Sequence, residues 1–246
     1  MAVYLVLLLC ALGIAAMVYR YDMYDREPLL LLLGAVAAGV ACFWVAGSVE
    51  DYLLESNTTP SIAKRAAVAG VVEELGKVVL VLLVAISCRR FFNDPVDGLI
   101  YGAFIGLGFG VGESFFFVSE EGPAWHVVPT EAVRLFLHAM MGGLGGYGIG
   151  LRVLPGRHLS WPAWLLGMLS LAMAVHFLWN RYVGLVPADQ HGPLTQIAAV
   201  LLMLALTVTF GGMVVMGSAH SRSVFAPHDR RSVWGWPFRR QPAGSD

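Results

Sequence analysis

Glu73, Glu74 and Lys77 lie within VVEELGKVVLVLLVAI, residues 71–86, an otherwise apolar run. An ionisable group at bilayer depth costs from about 2.5 to more than 10 kcal/mol, so three within two helical turns point to a functional site. Lys77 stands four residues from Glu73 and three from Glu74, spacings that put its ammonium beside a carboxylate on a helix. That pairing lowers the cost of burying the lysine. It also lets one glutamate stay ionised while the other holds a proton, giving an acid and a base from one residue type.

Similar groups recur downstream. Glu113 follows a glycine-rich stretch, Arg134 and His138 share one helical face with Gly142, Gly146 and Gly150, and His176 and Asn180 are one turn apart. Two chemistries fit. His138 and His176 could ligate a divalent metal such as zinc, with glutamates completing the site. Alternatively, Glu73 or Glu74 could activate water as a general base while the His and Asn side chains stabilise an oxyanion. HExxH and GxSxG are both absent, so neither zincin nor nucleophile-elbow geometry is expected.

The elements that must position these groups follow from composition. The 246 residues are 57% hydrophobic and 13% charged, with a mean hydropathy of +0.68. Soluble domains run at about 25% charged, so the chain has too little polar surface to face water throughout. An all-α, polytopic transmembrane helical bundle is expected, since membrane strands would alternate with period two. A formal net charge of −1 gives no basic footprint for nucleic acid. The expected partner on these grounds is the lipid bilayer. Cys10, Cys42 and Cys88 are widely spaced in apolar segments, which suits small buried hydrophobes better than disulfides or a metal site. The N-terminal run has no basic n-region and no A-x-A site, so it reads as a retained span.

About seven spans are predicted, near 2–19, 29–48, 66–87, 97–117, 131–151, 160–182 and 194–217, each close to the ~20 residues a span needs. Residues 1–217 form the expected membrane core. Residues 218–246, with Pro, Gly and several Arg, read as a flexible cytoplasmic tail whose Trp234 and Trp236 could touch the membrane interface. One set of loop ends carries Arg20, Arg26, Arg89, Arg90, Arg152 and Arg157, whereas the opposite set carries only Lys64, Arg65 and Arg181. The positive-inside rule then predicts an integral protein with its N-terminus outside and its C-terminus in the cytoplasm.

At 1.5 Å per residue, Glu73 and Glu74 lie roughly 10–12 Å below the outer face, Glu113 about 6 Å, His138 about 10 Å and His176 about 9 Å. Four antiparallel segments are thus expected to bring their polar groups to one level. Gly98, Gly102 and Gly106 form a small-residue stripe suited to close helix approach, and Gly108, Gly110 and Gly112 crowd the turn before Glu113 and could loosen that helix, although packing is the preferred reading for the glycines of this span.

At this point the motifs resemble a known family. YDMYDREP (21–28) is similar to the D-x-x-x-x-EP element of the PrsW family of intramembrane proteases, which is related to the CAAX prenyl protease group. EELGK (73–77) resembles its EExxK core, and DGLIYGAFIGLGFGVGES (97–114) resembles its D-x-x-x-YG…GLGF…E segment. R…HA (134–139) and H…N (176–180) complete the pattern over roughly residues 1–185. Ser114 departs from it, since Asn often follows the Glu in the family. The resemblance implies a bacterial plasma-membrane peptidase that cuts a single-span protein, often an anti-sigma factor, near the extracytoplasmic side. Glu73, Glu74, His138 and His176 would be its catalytic residues, with Lys77, Glu113, Arg134 and Asn180 in support.

Two other classes share such features. A proton-coupled transporter also buries Glu, His and Lys, but would favour internally repeated halves, and no repeat is visible. A catalytically inactive scaffold of the same fold would tolerate loss of the core residues, and all of them are present.

Overall fold

The computed structural model describes residues 2–22, 24–55, 59–122, 125–154, 160–185 and 192–225. Among them are seven long α-helices and no strand: α1 (Ala2–Tyr19), α2 (Leu29–Leu54), α3 (Ile62–Ser87), α4 (Pro95–Glu121), α5 (Val128–Gly150), α6 (Trp161–Trp179) and α7 (Pro193–Phe225). Five of these are long and apolar enough to cross a membrane, namely α1, α2, α4, α6 (with the turn that follows it) and α7. Helices α3 and α5 are also long enough, at roughly 39 and 35 Å. They hold Glu73, Glu74 and Lys77, and Glu131, Arg134 and His138, all buried inside the bundle.

Helix α4 is the centre of the bundle. Of its apolar window 83% is buried, against 22% in each of α1, α2, α6 and α7, whose remaining apolar surface is left for lipid. Glycine makes this centrality possible. A methyl group on Gly98, Gly102 or Gly106 would run into the backbone of Gly146, Gly142 or His138 on α5, and one on Gly142 or Gly146 would strike α4 in return. The two helices therefore meet backbone to backbone, as small residues allow in membranes. The opposite face of α4 meets α2 in the same way, with Gly108 against the Val36 carbonyl and Gly39 of α2 against that of Ile105. The glycines before Glu113 thus serve packing: α4 runs unbroken to Glu121, Gly110 abuts His138 and Gly112 abuts Phe43.

The helix starts are well specified. Ser61 Oγ accepts the Lys64 N–H of α3 at 3.2 Å. Asp94 and Asp97 form a reciprocal capping box with Pro95 at the first position of α4, satisfying donors that a helix start would otherwise leave orphaned. At the same end, Asp22 Oδ2 accepts the Glu27 N–H at 2.5 Å, and Glu27 accepts a hydrogen bond from Tyr101 of α4. The D-x-x-x-x-EP element is therefore a clasp joining the α1–α2 connection to α4.

The helices depart from the apolar runs mainly at their ends. Helix α2 continues six residues past position 48, α3 starts four before position 66, and α7 extends to Phe225. Hydropathy measures the bilayer, whereas a helix can continue into the interface while its backbone bonds are made. The eight residues 218–225, expected in the tail, belong to α7, and Ser218 and Ser221 there are buried. Residues 226–246, with Trp234 and Trp236, lie outside the described residues. The three cysteines are free and half-buried, more exposed than expected.

Candidate active site

On α3 the buried positions are Ala66, Ala69, Gly70, Glu73, Glu74, Lys77, Val78, Val81 and Ala85. This is the i, i+3, i+4, i+7 stripe of an ordinary core-facing helix, with Glu-Glu-Lys in place of apolar residues over one turn. Gly70 lets α6 approach: a methyl there would stand 3.1 Å from the Met173 carbonyl and 3.7 Å from His176 Cβ. The α3–α6 contact thus places His176 over the two glutamates.

The geometry assigns the protons. Lys77 Nζ donates to Glu74 Oε1 at 2.6 Å, and His176 Nδ1 lies 2.8 Å from the same oxygen. An ionised carboxylate only accepts, so Nδ1 of His176 carries a hydrogen, and in the neutral ring the lone pair is then on Nε2. Nε2 faces Glu73 Oε2 at 3.6 Å, and neither atom has a hydrogen-bond partner although both are buried. Lys77 Nζ also lies 2.8 Å from His138 Nδ1. An ammonium has only donors, so His138 accepts there and holds its hydrogen on Nε2, 2.7 Å from Glu113 Oε2. That pair is close but out of hydrogen-bond alignment.

Aromatic rings close the cluster. Phe109 stacks on His138 at 5.2 Å between centroids and lies 4.6 Å under Lys77 Nζ. Arg134 bridges Glu113 and Glu131, the latter at 3.0 Å, and stands 4.3 Å over Phe117. Every one of these charged groups is buried, so each must be paired to be tolerated. Asn180 opens a short π-helical turn, Asn180–Gly184, after α6. Gly184 there leaves room for the amide, since a methyl would come within 2.6 Å of Asn180 Oδ1. A cavity of about 340 Å³ leads to the cluster and is lined by Glu73, Glu113, Phe109 and Asn180.

The structure therefore gathers Glu73, Glu74, Lys77, Glu113, Arg134, His138 and His176 into one connected cluster, with Asn180 at its edge. Sequence reasoning overlooked Glu131, although its i−3 spacing to Arg134 was a usable signal. It also overlooked Glu50, which lines the cavity from α2, and the aromatic floor formed by Phe109 and Phe117.

Glu73, His138 and His176 each offer a ligand atom within 4.8 Å of the others. The donor set suits zinc. The two orphaned atoms, Glu73 Oε2 and His176 Nε2, are what a cation would satisfy, and Glu74 on Nδ1 is the outer carboxylate that usually orients a metal-bound histidine. The residues fit a divalent metal. His138 could join only by giving up its contact with Lys77 or with Glu113.

A polytopic helical protein with a buried Glu/His cluster beneath a cavity defines a membrane-embedded site class, and comparison narrows it. The model of the PrsW family of intramembrane metalloproteases matches residues 27–211. The chain is 28% identical over 142 residues to Protease PrsW of Bacillus subtilis (strain 168), covering 56% of this chain and 64% of that one. It is 31% identical over 104 residues to Protease PrsW of Clostridioides difficile (strain 630), covering 41% and 43%. With Protease PrsW of Geobacillus kaustophilus (strain HTA426) it shares 27% over 188 residues, covering 70% and 81%. The alignments to the first two thus span less than two thirds of those relatives. No solved structure gives a significant match. The chain belongs to the PrsW family of intramembrane metalloproteases.

Proposed function

We propose that the chain is an intramembrane endopeptidase that hydrolyses a peptide bond of a single-span membrane protein, such as an anti-sigma factor, near the extracytoplasmic face. The observation that carries this reading is the buried, orphaned pair Glu73 Oε2 and His176 Nε2, with Glu73 itself lining the cavity. In this reading the loop arginines hold the C-terminus in the cytoplasm of a bacterium and the N-terminus outside, so the cavity opens outward.

The two glutamates divide the work. Glu74 is committed to Lys77 and His176 through one oxygen and acts as a positioning residue. Glu73 lines the cavity and has a carboxylate oxygen without a hydrogen-bond partner, so it can receive a proton from water. The water oxygen then attacks the scissile carbonyl carbon, and the C=O electron pair becomes an oxyanion. The amide of Asn180, which lines the cavity, is the donor placed to hold that charge. As the C–N bond breaks, the proton held by Glu73 passes to the leaving amine. In the alternative, metal-dependent route Glu73 would be a ligand and not the base, and a divalent cation held by Glu73, His138 and His176 would supply Lewis-acid polarisation of the carbonyl.

The test is cleavage of single-span substrates by purified protein in liposomes. Glu73→Gln must abolish cleavage, and retained cleavage refutes the assignment. Loss on chelation with recovery on added zinc identifies the metal-dependent route, whereas insensitivity to chelation identifies water activation by the carboxylate alone.

A further inference from the structure

The cavity mouth holds a carboxylate that the chemistry above does not use. Glu50, near the end of α2, is half-buried and lines the cavity that reaches Glu73. Among the described residues it makes no hydrogen bond or ion pair. It lies within Coulombic reach of Glu113, Asp51, Lys77 and Arg65. Of the charged groups lining the cavity, Glu50, Asp51, Glu73 and Glu113 are acidic and Arg65 alone is basic. Arg134 neutralises Glu113, and Arg65 is exposed without an ion pair to either rim carboxylate. The mouth therefore presents more carboxyl than basic groups, and a half-buried, unpaired carboxyl there gains an ion pair from an incoming cation.

The facing wall is apolar and already assembled. Phe43 meets Trp44 at 5.1 Å, Phe109 at 5.6 Å and Phe116 at 6.1 Å between ring centroids, mostly edge to face. Rings locked against one another lose little freedom when a ligand arrives.

Resting on the peptidase reading, we propose that Glu50 is a specificity-determining residue: the cleft selects substrates that carry a lysine or arginine close to the scissile bond, with an apolar neighbour against the Phe43–Trp44–Phe116 wall. Lys and Arg are sparse on the outer side of membrane proteins, so an acidic rim there would discriminate sharply among substrates.

The experiment uses single-span peptides identical except for Lys, Gln or Glu at each position from two before to two after the cleaved bond. Wild-type protein in liposomes should cleave the best Lys peptide with kcat/KM about tenfold above its Gln counterpart. Glu50→Gln should erase that difference while leaving the Gln peptide unchanged, and Glu50→Lys should transfer the preference to the Glu peptide. Arg65→Gln is the control for general rim charge and should keep the Lys preference. Binding of the same peptides to the full chain carrying Glu73→Gln, in nanodiscs, gives a readout independent of turnover. There Lys should bind about tenfold tighter than Gln, and adding Glu50→Gln should remove the gap. Absence of cleavage with a Glu50-dependent binding preference would remove the peptidase reading and keep the rim assignment. Equal kcat/KM and equal binding for Lys and Gln, or a preference unchanged in Glu50→Gln, overturns the rim assignment.

Discussion

Glu74 Oε1 and His176 Nδ1 stand 2.8 Å apart across the α3–α6 contact, and the same oxygen takes Lys77 at 2.6 Å. One atom thus fixes the tautomer of a histidine and neutralises a buried lysine. Its neighbour Glu73 is left with an unengaged oxygen, so two adjacent glutamates become separable by experiment.

Glu73→Gln and Glu74→Gln should both reduce cleavage, but only the second should destabilise. Removing the Glu74 charge strands Lys77, and breaking a buried ion pair costs about 3–5 kcal/mol. Glu73→Gln removes no hydrogen bond from the orphaned oxygen and should leave the melting temperature in detergent nearly unchanged. A matched loss of stability in both variants would contradict the division of roles.

Gly102→Ala and Gly146→Ala each place a methyl group into the opposing backbone of α5 or α4. Overpacking of this kind costs about 1–3 kcal/mol or more, and because Gly106 and Gly110 abut His138, activity should fall with stability. Gly212 of α7 has nothing within 4 Å of such a methyl, so Gly212→Ala should be neutral or slightly stabilising through helix propensity. Thermal melts of the three variants decide the matter.

Gly184→Ala should lower kcat more than it raises KM. Its methyl would meet Asn180 Oδ1 at 2.6 Å and displace the amide assigned to the oxyanion, a contact strongest in the transition state. An unchanged kcat would remove Asn180 from that role.

The contribution of Asp22 and Glu27 to stability should fall as pH rises from about 4 to about 7 and then level off. Burial is the main cause that lifts Asp22 from 3.8 to about 7, opposed by the Glu27 N–H. Burial likewise lifts Glu27 from 4.5 to about 7, opposed by the Tyr101 hydroxyl. In this window the unfolded chain releases protons that the folded chain still holds, so folding loses ground as pH rises and the penalty is complete above 7. Asp22→Asn and Glu27→Gln should each flatten the profile measured by thermal denaturation. An unchanged slope would show that these carboxyls do not govern it.

Zinc should raise the melting temperature of the wild type by mass action on the folded state. The shift should be absent in Glu73→Gln and His176→Ala, with bound metal measured in parallel.

Much of the fold was legible because hydropathy and helical spacing are local. The apolar runs located all seven helices, and i+4 spacing placed His138 on the glycine face of α5. Counting residues along the spans placed Glu73, Glu113, His138 and His176 at one level. What escaped depends on neighbours distant in sequence. Glu73 and Glu74 are equivalent on paper, and only the Gly70 approach of α6 decides which one His176 engages. Glu50 falls beyond the apolar run near 29–48, and only the longer α2 brings it to the cavity. Asp22 and Glu27 stood in a quoted motif, but their role as a clasp emerges only when Tyr101 arrives from α4.

The backbone contact of α4 with both α2 and α5 has an evolutionary consequence. With no layer of side chains between these helices, no compensating substitution can absorb a change at the glycines, so the geometry of the reaction centre is inherited as a block. The end of α2 around Glu50 and Asp51 is free of that restraint. Relatives can therefore exchange targets by altering a few rim residues while the chemistry beneath stays fixed, and divergence among paralogues should concentrate at that helix end.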